Sequence, residues 1–410
     1  MKRLLPALLL GLFVPALALG QDDETERRLK DLEDRLGEMQ ERLDEAEREL
    51  QRHDRVLGLP PSGAVDPFTL VPARAPAEPS GLEIPESFSG DGGLAWLKKH
   101  QEPDGHWAAP KDEHDVAVTS LALLAFCGSG HTHRFGIHKR TVNKAASWLK
   151  KRQAGSGYFK SAAKLSASTL DQALGTFALC ELYAISRDFT LKRPAEAAAG
   201  ALLLLQTESG GWSFGGPRSP ANSLATIYAV LGLKAAKTAG LTVPTEAFER
   251  AATFLASVTD AQGLVGLYKV GDGVSVTVGE LRPTTPSAPL FTAGSVIARI
   301  FCGERRSVDA LQAGIDRFTP LDAIYEPVYA YFATYALFQV GGDSWKAWNT
   351  PMQAALLSSQ VVGAGEDQGS WDPVGIWGAL GGRAAVTAHN MLTLEVYYRY
   401  ARAQESEKRD

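Results

Sequence analysis

The chain has 410 residues, 45% of them apolar and 22% charged, with a formal net charge of −5. That length suffices for one large domain or two ordinary ones, and the composition calls for a buried core. The charge balance gives no nucleic-acid footprint, and no basic stripe interleaved with aromatic residues appears.

Residues 1–20, "MKRLLPALLLGLFVPALALG", have the pattern of a signal peptide. Lys2 and Arg3 precede an apolar run, and the small residues Ala18 and Gly20 suit cleavage before Gln21. The run is short for a membrane span, so cleavage is expected over an uncleaved membrane anchor. The protein is expected in the periplasm, the cell envelope or the extracellular space. Residues 21–57 are highly charged yet keep an apolar seam. Leu29, Leu32, Leu36, Met39, Leu43, Ala46, Leu50 and Leu57 follow alternating steps of three and four, with His53 filling the one polar slot. This heptad predicts a coiled coil that joins the chain to further copies of itself, as a dimer or a trimer. Residues 58–88 hold seven prolines and predict an extended linker.

Residues 89–402 form the body, and 403–410 a polar tail. The body carries a recurring skeleton: "QEPDGHW" at 101–107, "QAGSGYF" at 153–159, "QTESGGW" at 206–212 and "DQGSWDP" around Trp371. Trp107, Phe159 and Trp212 are 52 and 53 residues apart, and Trp371 follows Trp212 by 159, three times 53. Two degenerate units fit between, around 260–268 and 320–329, giving six units of 53 residues. Each unit reads as a half-polar helix, a Gly-aromatic turn and a helix apolar on all sides, such as "VAVTSLALLAF" or "PVYAYFATYALF". A helix apolar all round is buried all round, so the apolar helices form an inner layer and the half-polar ones an outer layer. Such a repeat closes best on itself. The predicted fold class is all-α, an (α/α)6 toroid preceded by the coiled coil. Within each unit the glycines permit a sharp turn, the ring wedges between units and the Gln bonds a neighbouring helix end. Cys127, Cys180 and Cys302 end apolar helical runs and are expected as buried hydrophobes rather than disulfides.

The six-unit period, the turns and the closing "GSWDP…GGRAAVTAHNMLTLEVYYRY" resemble the prenyltransferase and squalene-cyclase repeat superfamily, whose members are α/α toroids. The resemblance covers 89–402 and implies fold more than activity. Its cyclases protonate a polyene from a D-x-D-D-T-A segment. Here "DVAVTS" supplies Asp115 and Thr119, but Ala117 and Val118 replace the central acids. Asp115 is therefore expected to cap its helix. Its protein prenyltransferases hold zinc through D-x-C and a His. Glu326 and His389 fall at two of those places, but Val328 stands at the Cys place. No metal and no cofactor are expected. "CGER" at 302–305 lacks the Gln of a complement-type thioester. The histidines of "HTHRFGIH" (131–138) leave an inner helix whereas His106 and His114 enter it, so about 18 Å keeps them from forming one metal site.

The loops entering the inner helices open at one mouth. Asp115, Trp212, Glu326, Trp371 and Arg383 are the candidate ligand-binding residues there. The leading expectation is a non-catalytic binding or scaffold protein at the cell envelope, its partner an apolar small molecule or an envelope protein. The alternative is an enzyme, a divergent terpenoid cyclase or prenyltransferase relative or a polysaccharide-active protein, with Asp171, Asp372 and His389 as candidate catalytic residues. Whether the protein is an enzyme at all stays open at this stage.

Overall fold

The computed structural model describes residues 91–160, 168–277, 280–284, 289–304, 309–318 and 326–396. The signal peptide, coiled coil, linker and polar tail predicted above lie outside the described residues. Everything described belongs to one unit, Pro67–Asp410, separate from Met1–Asp66.

Apolar periodicity sorts the helices into two layers. The inner helices are α2 (Asp115–Gly128), α4 (Ser168–Ser186), α6 (Ser223–Thr238), α8 (Pro289–Phe301), α10 (Pro327–Val340) and α12 (Gly375–Leu394). The outer helices are α1 (Asp91–Lys99), α3 (Lys139–Arg152), α5 (Phe189–Leu204), α7 (Thr245–Ser257), α9 (Asp309–Ile315) and α11 (Gly342–Ser359). In α2 every residue from Val116 to Gly128 is buried, whereas in α3 only one face is. Each inner helix packs on the next, and α12 returns to pack on α2, so the inner ring is closed. α1 also packs against α12, and the Trp96 indole donates to the Glu366 carbonyl at 2.9 Å, which seals the outer layer. The predicted double ring is thus present.

The even period is not. Inner helices start 53 residues apart from α2 to α4 and 55 from α4 to α6, but 66 from α6 to α8 and 38 from α8 to α10. The long unit contains an antiparallel hairpin, β1 (Gly273–Thr277) with β2 (Glu280–Thr284), that the sequence pattern did not announce. The short unit has the seven-residue α9. Insertion and shortening cancel, which is why the total length fitted six equal units.

The recurring turn is a hydrogen-bonded bracket. The backbone N–H of the signature residue donates to a side chain one turn into the following inner helix, or, in α12, about one turn past its break at Gly382. Trp107 donates to Thr119 (3.1 Å), Phe159 to Gln172 (3.0 Å), Trp212 to Thr226 (2.8 Å), Val265 to Thr292 (3.1 Å) and Trp371 to Thr387 (3.3 Å). Each indole reaches back to its own outer helix: Trp107 to Leu97 O, Trp212 to Leu202 O and Trp371 to Leu356 O, all at 2.8 Å. The motif glutamines tie the turn to the next outer helix. Gln101 donates to Thr141 O, Gln153 to Pro194 O and Gln206 to Ala247 O, at 2.8–3.0 Å. At Gly105 and Gly210 the backbone is left-handed (φ 110° and 93°), and a Cβ would collide with the carbonyls of Lys144 and Arg250 in the next outer helix. Glycine alone meets both demands.

A bracket acceptor cannot be removed without stranding a buried N–H. Thr226→Val should cost about 2 kcal/mol in denaturant unfolding, and Thr226→Ser less than about 1 kcal/mol. Equal effects from the two variants would show that the hydroxyl does not carry the turn.

Candidate functional site

The inner helices all begin at the same end of the ring, and their first N–H groups need acceptors. The polar residues of the mouth supply them. Asn222 Oδ1 accepts from Ala225 N (2.9 Å) at the start of α6. Glu326 serves two helices. Its Oε2 accepts from Tyr329 N (2.6 Å) in α10, and its Oε1 from Ile376 N (3.3 Å) in α12. Asp171, fully buried in the first turn of α4, accepts from Ala117 N in α2 at 3.1 Å, with the His114 ring 3.6 Å away. Asp115 does not cap its own helix as expected. It accepts from Ala109 N (2.8 Å), tying down the entering loop, while Asp171 reaches over from the neighbouring helix to do the capping.

Deeper in the ring, three aromatic side chains from two helices form a relay that the sequence reading did not anticipate. Trp377 Nε1 donates to Tyr228 Oη (2.8 Å), and Tyr228 Oη lies 3.0 Å from His389 Nε2. His389 Nδ1 lies 2.9 Å from the Ala385 carbonyl, which can only accept. Nδ1 therefore carries the imidazole proton, Nε2 accepts, and the tyrosine hydroxyl donates to it. Every polar atom of the trio is satisfied. Burial pulls His389 down to about 4 and pushes Tyr228 well above its usual range, so both are neutral around pH 7. Phe332 packs 5.4 Å from the Tyr228 ring and Tyr331 lies 5.9 Å from His389, centroid to centroid. The break in α12 at Gly382 (φ 65°) lets the short Gly375–Gly381 segment carry Trp377 inward.

The remaining sequence candidates separate. Trp212 and Trp371 are buried to 0% and 1% exposure and face no solvent, so they belong to the brackets and not to a ligand site. Arg383 pairs with Asp372 (2.9 Å) and Asp367 (3.2 Å) and donates to Ser370 Oγ (3.2 Å), pinning the sixth turn. Of the eight candidates, His389 lies in the buried relay and Glu326 at the helix starts of α10 and α12, and no contact joins the two among the described residues. Among the described residues no group of three His, Cys, Asp or Glu is arranged to hold a metal ion. The three cysteines are buried, and none forms a disulfide with another described residue. Tyr228 did leave a sequence signal: a lone hydroxyl-bearing ring in the aliphatic "SLATIYAVLGL" has to find a buried partner.

Two predictions test this geometry. Tyr228→Phe strands both the Trp377 N–H and His389 Nε2, and should cost about 2–4 kcal/mol in equilibrium unfolding. A cost under about 0.5 kcal/mol would show that the relay is not made. Glu326 is half-buried, and burial pushes its carboxyl up to about 7 from 4.5. Folding then favours its protonated form, so its contribution is complete below about pH 4.5 and is lost as the pH rises to about 7. His389 acts oppositely: its contribution is present above 6.5 and is lost as the pH falls towards about 4. The wild-type profile mixes the two. The difference in unfolding free energy between wild type and Glu326→Gln isolates the first and should decline from pH 4.5 to 7; a pH-independent difference would contradict it.

No protein-family model matches the chain. No curated protein sequence matches it either. Solved structures do. Cellobiose 2-epimerase from Spirochaeta thermophila DSM 6192 is 12% identical, with a TM-score of 0.56 over 76% of this chain and 94% of that one. The GH76A α-1,6-mannanase of Salegentibacter sp. HEL1_6 is 11% identical, with a TM-score of 0.52 over 76% and 98%. The type II terpene cyclase MstE from Scytonema is 13% identical, with a TM-score of 0.50 over 76% and 97%. At these identities the likeness is one of fold: the body of this chain is an α/α toroid.

Proposed function

We propose that this protein is an exported, oligomeric, non-catalytic toroid that binds a partner or acts as a scaffold at the cell envelope, with its ligand site at the mouth or in the lumen. The observation that carries this reading is that the carboxylates at the mouth and the aromatic relay beneath it are engaged by the protein itself. Asp171, Asn222 and Glu326 cap helices, Arg383 and Asp372 pair with each other, and Tyr228, Trp377 and His389 satisfy one another. A general acid or base needs a free lone pair or proton within reach of substrate. The residues of 1–20 support export, and the heptad of 21–57 supports self-association. An apolar small molecule or an envelope protein is the ligand class that suits a mouth rimmed by helix caps over an aromatic interior.

One observation favours an enzymatic reading. Glu326, raised to about 7, is the acid at the mouth with an affinity for protons suited to acid–base work near neutrality. The solved toroids named above are an epimerase, a mannanase and a terpene cyclase, which supplies the substrate classes to try. Purified full-length protein should turn over neither cellobiose, α-1,6-mannotriose nor a geranylgeranyl-bearing phenol. Turnover of any of them that disappears in Glu326→Gln would replace the binding reading with the enzymatic one.

A further inference from the structure

At the rim opposite the mouth, where α2 and α4 end, the chain exposes large apolar side chains among cations. Phe135 is 75% exposed, Ile137 80% and Phe189 82%. Two segments present them: the loop 129–138 between α2 and α3, and the start of α5 just after its two-residue link from α4. One buried carboxylate joins the segments. Asp188 Oδ2 lies 2.7 Å from His133 Nε2 and 3.2 Å from Arg134 Nη2, while its Oδ1 caps α5 through Thr190 N at 2.9 Å. Arg187, in the left-handed region (φ 51°), turns the chain so that Phe189 opens α5 facing outward. The tips are therefore held side by side. Lys139, Arg140, Arg187 and Arg193 around them are exposed, and none is in an ion pair with another described residue. Residues 129–144 contain no acid, and Asp188 is buried in its own contacts.

We propose that this rim docks the protein on an anionic phospholipid bilayer. The apolar tips would enter the headgroup boundary while the surrounding cations meet lipid phosphates. The chain's net charge of −5 repels such a surface overall, so the local cations also fix which face approaches it. A second copy of the chain suits the surface poorly, because a two-fold contact would set the same cations against one another. No helix among the described residues is long and apolar enough to cross a membrane, and the docking needs none. The surface lies away from the mouth and does not depend on the binding or the enzymatic reading.

The test is co-sedimentation of the full chain with vesicles of phosphatidylcholine alone and of phosphatidylcholine with about one-third phosphatidylglycerol. Wild type should prefer the anionic vesicles and lose that preference in high salt. The combined variant Lys139→Glu, Arg140→Glu, Arg187→Glu should bind them about a hundredfold more weakly. The variant Phe135→Ser, Ile137→Ser, Phe189→Ser should bind at least about tenfold more weakly. Thermal melting should be unchanged in both, since all six side chains are exposed; if one variant melts early, the other decides. Wild type that binds neither vesicle, or binds both equally, overturns the proposal. So does undiminished binding by both variants, which would place any membrane contact elsewhere in the chain. Variants that alter sedimentation velocity while vesicle binding persists would make the rim a protein interface and equally overturn it.

Discussion

A backbone N–H buried where two helical layers meet must find an acceptor, and this constraint organises the protein. Each of the five described turns between an outer and an inner helix brings one such group under the outer layer. A threonine or glutamine of the inner helix takes it, and the three signature indoles donate to the carbonyls of their own outer helices. The same demand recurs at the mouth, where the inner helices begin. There Asp171, Asn222 and Glu326 do for the helix ends what Thr226 and its counterparts do for the turns. Side chains that would be reagents in an open site are engaged in holding the ring together.

That allocation bears on function. A carboxylate that bridges two helices, as Glu326 does, contributes to stability by staying where it is, whereas catalysis asks it to exchange a proton with something else. The Tyr228–His389–Trp377 relay has the same character: its protons have defined positions, and its members are neutral and enclosed. Polar networks of this kind specify one packing of a core when they are complete. The relay selects one arrangement of α6 against α12 among many that aliphatic side chains alone would tolerate. Surfaces that remain chemically uncommitted lie elsewhere, at the far rim with its exposed rings and cations.

Much of the fold was legible from periodicity. Two alternating helix types at one spacing leave few architectures, and closure follows from inner helices that are apolar on every side. The role of the aromatics was legible because a structural motif must recur wherever its turn recurs. The hairpin at Gly273–Thr284 was not, since its unit's excess length is cancelled by the short α9 and only the sum could be read. The site was read less well. Asp115 was expected to cap its helix, because sequence records adjacency along the chain and not the neighbour that reaches across; Asp171 does so from 54 positions away. Trp212 and Trp371 drew attention by their neighbourhood in sequence, yet their rings point into the layer interface. Tyr228 and Trp377 were passed over because their partnership spans 149 residues.

Native-state hydrogen exchange of the Trp107, Phe159, Trp212, Val265 and Trp371 amides tests the central claim most directly. If the brackets bind the outer layer to the inner ring, these five amides exchange only with global unfolding, at the same opening free energy as amides in the middle of α2 and α6. If they exchange through local openings several kcal/mol easier than the inner helices, the turns are passengers on the ring and the account is wrong.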